Sequence, residues 1–524
     1  MSADAPAQSF DDSSPAEGAP QDVRLGRSTL LGLVGSLSVV IGAILGGQAF
    51  ENHLPGAWFF GMPGGLFGSL GSSNAQPPVY SLIAVYGGLI LMARVWFGLL
   101  RRVGGQHGLP VRRIVCVIAV WALPFLIGPP LFSHDVYSYA GQGEMVSHHI
   151  NPYDYGTGVL GSTPFNAMAN GVWTNTPSPY GPTFLAIDGA LDNVADHQVL
   201  PDVVLLRLVE LGGLALALAS IPTLARRHGR DPAQAVLLGL GSPLILATLV
   251  SGAHNDALMV GLLLAGLAVA QRLGTAPGIV LCAIAAGVKS PAALGVLFLG
   301  WVWAGSGASV RRRLMHAAGA GLIALGTLEV LSLVSGLTWG WLRTGTAANQ
   351  SFTAVTPVGA VAKAFAGLAA VVNLHISVLG ARTVLSILGL TCAGVIGLVM
   401  LWKSPQWGAP MTMGVTLLMV ALLGPILWAW YVTWGVVVLA AVATPRLRVA
   451  VIGISTFEAF VGATALKRVA ETMYHAGLLP DLILVATLFA LVIVPLAQFG
   501  RTQAPLLPLS SLPRRGLLDR VSTA

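Results

Sequence analysis

Apolar stretches of about the length that crosses a bilayer, roughly 20 residues, recur from one end of this chain to the other, at 29–46, 79–100 and 114–132 among others. Counted by length there are about 14 of them, several short. With 55% of its residues hydrophobic and 9% charged, the chain falls outside the balance of a water-soluble domain, and the expected fold is an all-α polytopic membrane protein.

Orientation follows from the basic residues, which resist translocation and collect in cytoplasmic loops. Arg24 and Arg27, then Arg101, Arg102, Arg112 and Arg113, then Arg226, Arg227 and Arg230, then Arg311 to Arg313, then Arg446 and Arg448 mark one side. That side is expected to be the cytoplasm. The segments between them then face outward: 47–78, a large loop at about 133–201, a second at about 336–374, the neighbourhood of Trp428, and 466–480. Residues 1–23, rich in Ser, Ala, Pro and acids and without a basic leader, read as a disordered cytoplasmic tail. The first apolar segment then serves as an uncleaved anchor. Residues 24–500 form the transmembrane domain and 501–524 another cytoplasmic tail.

The formal charge of +7 is spread over many loops, which speaks for topology and against nucleic acid as a partner. Cys116, Cys282 and Cys392 sit in apolar segments with no paired spacing, as small buried residues do. There is no phosphate-binding or dinucleotide motif, so no cofactor is expected and the energy for any chemistry must arrive with the substrate.

Polar chemistry concentrates between Ser133 and Gly156. Asp135 follows a segment ending in Gly128-Pro-Pro130, which puts its carboxylate where a lipid headgroup and a water-borne acceptor meet. It suits a general base, and it equally suits an N-cap for a helix beginning at Val136. The residues after it suit a short interfacial helix, with Tyr137 and Tyr139 stacking on sugars or anchoring at headgroup level. Glu144 is a second acid that need not share a face with Asp135. His148 and His149 are adjacent, not spaced to place two ligands on one helical face, so no metal site is expected. Pro177-Ser-Pro-Tyr-Gly-Pro182 supplies a rigid corner carrying Tyr180.

Farther along, His254, Asn255 and Asp256 interrupt apolar sequence, as a cavity lining does; a solvated turn is the alternative. Lys289 splits an apolar region into two pieces of roughly 15 residues, too short for a comfortable crossing. A hairpin with a lysine at its tip is expected, and an anion such as a lipid phosphate would neutralise it. Arg343, beside Trp341, is another outward-facing cation that could hold the phosphate. Trp428, Trp430, Tyr431 and Trp434 read as an interfacial belt or the lining of a sugar or polyprenyl groove.

These motifs in this order, Phe-Ser-His-Asp-Val-Tyr-Ser-Tyr, Asn151-Pro-Tyr153, Pro179-Tyr-Gly-Pro182, His254-Asn-Asp-Ala-Leu-Met259 and Val288-Lys-Ser290, resemble the actinobacterial polyprenyl-phosphomannose-dependent α-1,6-mannosyltransferases of the GT-C class. The resemblance runs from about Arg24 to about Leu496. It implies a GT-C bundle and inverting transfer of mannose from a β-linked polyprenyl phosphomannose, at the outer face of the plasma membrane. The acceptor would be a growing α-1,6-mannan or a phosphatidylinositol mannoside, on the way to lipomannan and lipoarabinomannan. It implies Asp135 as base, Lys289 at the basic position of the hairpin, and Tyr180, His254, Asn255 and Asp256 in the matching motifs; the residues themselves add Arg343 as an alternative at the donor phosphate, and Tyr137, Glu144, Trp341 and Tyr431 as candidates around the substrates.

The chain departs from the family pattern at three places. Asp256 stands where the family usually has Glu, His134 where another basic residue is expected, and Leu427-Trp-Ala-Trp-Tyr431 where relatives tend to read Pro-Trp-Tyr. The last departure leaves acceptor choice open. A transferase of another sugar such as arabinose, or a lipid-linked-sugar transporter, are the competing readings. Against a transporter stand the acids and aromatics gathered at one surface and the lack of repeat symmetry.

Overall fold

The computed structural model describes residues 21–50, 79–105, 109–169, 171–345, 356–371 and 373–463. Residues 1–20 and 501–524 of the expected tails lie outside these, as do the outer segments 51–78, 346–355 and 466–480. Every regular element among the described residues is a helix, the form in which a membrane-embedded segment satisfies its own backbone groups.

Five helices are long and apolar enough to cross a membrane: α1 (Gln21–Gly46), α2 (Val79–Gly105), α6 (Val199–Arg227), α11 (Val310–Ser335) and α13 (Val378–Trp407). A bent pair, α7 (Pro232–Leu240) meeting the segment Pro243–Ser251 at 49°, has the length and composition of a broken span or a re-entrant loop. The break falls at Gly241-Ser-Pro243, where Ser242 accepts from the Ile245 amide and starts a new helix. Among the described residues this is fewer crossings than the apolar runs suggested. Several of those runs form shorter helices instead, including α9 (Thr275–Val288), α10 (Ala293–Trp303) and α14 (Ala409–Leu423).

Between the spans lie α3 (Val111–Ile127), α4 (Asp135–Ser147), α5 (Pro182–Val194) and α8 (Asp256–Arg272), with α12 (Pro357–Val371), α15 (Thr433–Ala440) and α16 (Pro445–Val461) in the C-terminal part. The expected helix after Asp135 is present, but it does not expose one face as an interfacial helix would. Every residue from Asp135 to Met145 is buried, because α4 packs on α5 and α6 and under the loop that follows it.

Two buried ionisable side chains on α6 tie helix ends together. The Arg207 guanidinium donates to the carbonyls of Leu126 and Gly128 at the end of α3, at 3.0 and 2.9 Å, and to Ser251 at 2.9 Å. Glu210 accepts from the Leu258 amide in the first turn of α8 at 2.9 Å. Each side chain satisfies backbone groups that a helix end leaves unpaired. Close contact between α6 and α8 depends on glycine: a Cβ on Gly261 would lie 2.0 Å from the Gly213 carbonyl oxygen. The stretch from Ser251 to Asp256 is therefore held from both ends.

Candidate active site

Three segments remote in sequence converge on one cleft of about 220 Å³. Trp173, Pro179 and Tyr180 come from the outer loop, Lys289, Ser290 and Pro291 from the turn between α9 and α10, and Tyr431 and Trp434 from the start of α15. The rest of the lining is largely apolar, with Leu390 from α13 and Val420 and Ala421 from α14.

The two halves of the expected hairpin form as α9 and α10, with Lys289 at the end of α9 and a short 3-10 turn after it. Gly181 lets the Tyr-Gly-Pro corner reach this turn: its amide donates to the Val288 carbonyl, and a Cβ there would sit 2.4 Å from the Gly287 carbonyl oxygen. The corner and the lysine thus meet backbone to backbone, and Tyr180 and Lys289 line one cleft.

Lys289 is buried with a partner in place. Its ammonium donates to both carboxylate oxygens of Asp256, at 2.9 and 3.0 Å, and to Asn255 Oδ1 at 3.4 Å. It also lies 4.8 Å from the centre of the Tyr431 ring, where the ring's negative face stabilises a cation. Trp434 Nε1 donates to Asp256, so the carboxylate is gripped from two sides. The sequence Asn255-Asp256 is therefore no solvated turn. Asp256 is in the first turn of α8, where the helix dipole favours a negative charge.

Asp135 occupies the first turn of α4, and His134 is its N-cap residue. The capping alternative fails, since the Asp135 carboxylate faces Trp173 and His254 instead. Trp173 Nε1 donates to Asp135 Oδ1 at 3.3 Å, and His254 Nδ1 lies 3.6 Å from Oδ2. His254 is stacked on Trp430 at 3.7 Å, and Trp430 in turn on Trp428 at 5.1 Å. That column fixes the imidazole plane opposite the carboxylate. Trp430 and Trp434 are buried, so the tryptophan cluster packs into the site and does not form an exposed belt.

Phe132 and Ala253 each take a positive φ, 66° and 51°, a conformation disfavoured for residues with a Cβ. They stand immediately before the segments that carry Asp135 and His254. Left-handed non-glycine residues of this kind persist where the surroundings over-determine the backbone, and they gather at functional sites.

Other expected residues lie elsewhere. Tyr137 is buried edge-on to His134 and does not line the cleft. Glu144 is at the far end of α4, bonded to His148 and His197 at 3.0 Å each. Arg343 is exposed and paired with Asp154 at 2.8 Å, while Trp341 is buried against Trp339. Arg207, Glu210 and His197 went unnoticed in the sequence because each works through a partner dozens of residues away.

A family model described as "Alpha-(1->6)-mannopyranosyltransferase, N-terminal domain" matches residues 29–305, and one described as "MptB C-terminal domain" matches 355–495. The chain belongs to the α-(1→6)-mannopyranosyltransferase family. Of the relatives, a probable α-(1→6)-mannopyranosyltransferase of Mycolicibacterium smegmatis is 31% identical over 488 residues, covering 84% of this chain and 83% of its own. The α-(1→6)-mannopyranosyltransferase A of Mycobacterium tuberculosis is 32% identical over 414 residues, with 72% and 75% covered. The α-(1→6)-mannopyranosyltransferase B of Corynebacterium glutamicum is 27% identical over 445 residues, with 79% and 72% covered. No solved structure matches the chain. The N-terminal α-(1→6)-mannopyranosyltransferase match contains Asp135, Tyr180, His254, Asp256 and Lys289, and Tyr431 falls in the C-terminal one.

Proposed function

We infer that this chain transfers mannose from polyprenyl phosphomannose to a growing α-1,6-mannan, the backbone of lipomannan and lipoarabinomannan, at the outer face of the plasma membrane. The observation that carries the reading is the cleft itself. It joins a buried ammonium, aromatic rings and an apolar wall, and Trp173 spans from its lining to the carboxylate of Asp135.

Each part has a task in such a reaction. The apolar wall suits the polyprenyl chain, and Lys289 suits the phosphate, which must leave with its negative charge stabilised. Lys289 is preferred over Arg343 because it lines the cleft, whereas Arg343 is on the surface with Asp154. Tyr180, Tyr431 and Trp434 offer flat faces of the kind that stack on sugar rings. Asp135 takes the proton of the acceptor's 6-hydroxyl as its oxygen attacks the anomeric carbon. The bond from that carbon to the phosphate oxygen breaks on the opposite side, and the configuration inverts. Trp173 holds the carboxylate by a hydrogen bond, and the His254 ring packs beside it.

The test is transfer of radiolabelled mannose from polyprenyl phosphomannose to a short α-1,6-mannoside by membranes containing the chain. Activity in the wild type, and its loss by about 10²- to 10⁴-fold in Asp135→Asn with donor binding retained, is the expected result. Near-normal turnover in Asp135→Asn rules that residue out as the base. Folded protein that accepts another lipid-linked sugar but not this one overturns the donor assignment.

A further inference from the structure

At the other end of α4, away from the cleft, four side chains converge that the transfer reaction does not use. His148 Nε2 lies 3.0 Å from Glu144 Oε1, one helical turn away. His197, in the turn between α5 and α6, places Nδ1 3.0 Å from Glu144 Oε2 and 2.8 Å from Asp192 Oδ2. The two imidazoles stack at 5.0 Å with their planes 15° apart. One ligand atom from each of Glu144, His148 and His197 falls within 4.8 Å of the others.

Such spacing is what a first-row metal ion draws together. With metal–nitrogen bonds of about 2.0–2.1 Å, neighbouring donors in a tetrahedral shell stand roughly 3.4 Å apart. The bonded pairs need to widen by a few tenths of an ångström, and the donors farthest apart, within 4.8 Å of one another, need to draw in.

A second observation is a set of buried carboxylate oxygens beside this cluster. Asp192 Oδ1 and both carboxylate oxygens of Asp202 are buried without a hydrogen-bond partner, and both residues have no exposed surface. The carboxylates of Asp192 and Glu144 act on Asp202 electrostatically. Three acids are thus electrostatically coupled, and the donors bonded to Glu144 and Asp192 among the described residues are two imidazoles and, at 2.5 Å from Asp192 Oδ2, the Ser147 hydroxyl. Unpaired buried carboxylates are costly unless a cation or proton compensates them. The two histidine side chains are 52% and 41% exposed, so an ion has a path in.

We propose that Glu144, His148, Asp192 and His197 form a binding site for a divalent first-row transition-metal ion. Two imidazoles and two carboxylates favour zinc or manganese over calcium or magnesium, which prefer all-oxygen shells. The ion clamps the last turn of α4 to the α5–α6 turn, and so steadies the helix whose first turn carries Asp135. It is a positioning site, separate from the sugar chemistry. Its competitor is a proton: hydrogen bonds to Glu144 and then Asp192 hold His197 above its ordinary pKa.

The test uses the full chain in detergent, stripped with a chelator and dialysed against Zn²⁺, Mn²⁺, Mg²⁺ or Ca²⁺. Metal content is read by mass spectrometry and melting temperature by tryptophan fluorescence. One equivalent of Zn²⁺ or Mn²⁺ is expected, with a higher melting temperature. In His148→Gln and His197→Gln, half-exposed positions where glutamine leaves the packing intact, affinity is expected to fall at least about tenfold. Failure of the wild type to take up either ion overturns the proposal and leaves the shared proton as the bridge. So does equal uptake by the double variant, or equal stabilisation by Mg²⁺, which would mark a diffuse acidic surface.

Discussion

Removing both members of the Lys289–Asp256 pair is expected to destabilise the protein less than removing either one. The ammonium donates to both oxygens of Asp256 within 3.0 Å, and the two side chains are 10% and 0% exposed. A buried charge left without its partner costs about 3–5 kcal/mol. In Asp256→Asn the lysine keeps Asn255 and the Tyr431 ring, which places the loss near 3 kcal/mol. In Lys289→Met the carboxylate keeps the Trp434 donor, and a loss of similar size follows. The double variant carries neither charge, while the amide oxygen introduced by Asp256→Asn still accepts from Trp434, so a loss of about 1–2 kcal/mol is expected. The coupling is then about 4–5 kcal/mol.

Unfolding in mixed micelles by added dodecyl sulfate, followed by tryptophan fluorescence, gives the four free energies of the cycle. Losses that add within about 0.5 kcal/mol refute the pairing. A separate reading of the same variants concerns the donor. If Lys289 holds the phosphate, Asp256→Asn tightens donor binding as it weakens the fold, because the ammonium loses its internal competitor. Lys289→Met weakens donor binding. Donor affinity unchanged in both would leave the pair purely structural.

Gly181→Ala forces a Cβ against the Gly287 carbonyl oxygen, 2.4 Å away, and is expected to cost about 1–3 kcal/mol and to lower transfer. Gly212→Ala, with nothing within 4 Å, serves as the control in the same melting and transfer assays. Arg343→Ala breaks an ion pair whose side chains are 71% and 48% exposed, so stability is expected to change by less than about 1 kcal/mol. Its donor KM should match the wild type; a large rise would move the phosphate role to Arg343.

Much of the site was legible because chemistry in an apolar chain has few places to hide. Asp135, His254 to Asp256 and Lys289 stand out against the surrounding Leu, Val and Ala, and burial of a charge is costly enough that each such residue needs a reason. The break at Lys289 was visible in the lengths of the apolar pieces on either side, and the structure has the two short helices α9 and α10 there. The role of α4 was misread. Its Tyr, Gln, Glu and His content suggested an interfacial helix, yet Gly143 permits contact with the backbone of Asp188, 2.8 Å from where a Cβ would be, and protein covers the helix on every side.

Length, hydropathy and the placement of single charges therefore determined a membrane-embedded, all-helical chain and, of the residues expected at a site, Tyr180, Lys289 and Tyr431 at its cleft, since these are local properties of the string. Which charges neutralise one another was decided only by the tertiary fold. Asp256 meets Lys289 across 33 positions, Trp434 meets Asp256 across 178, and His197 meets Glu144 across 53. An electrostatic partner is chosen by distance in space, and no periodicity in the sequence records which two helix ends will be packed together.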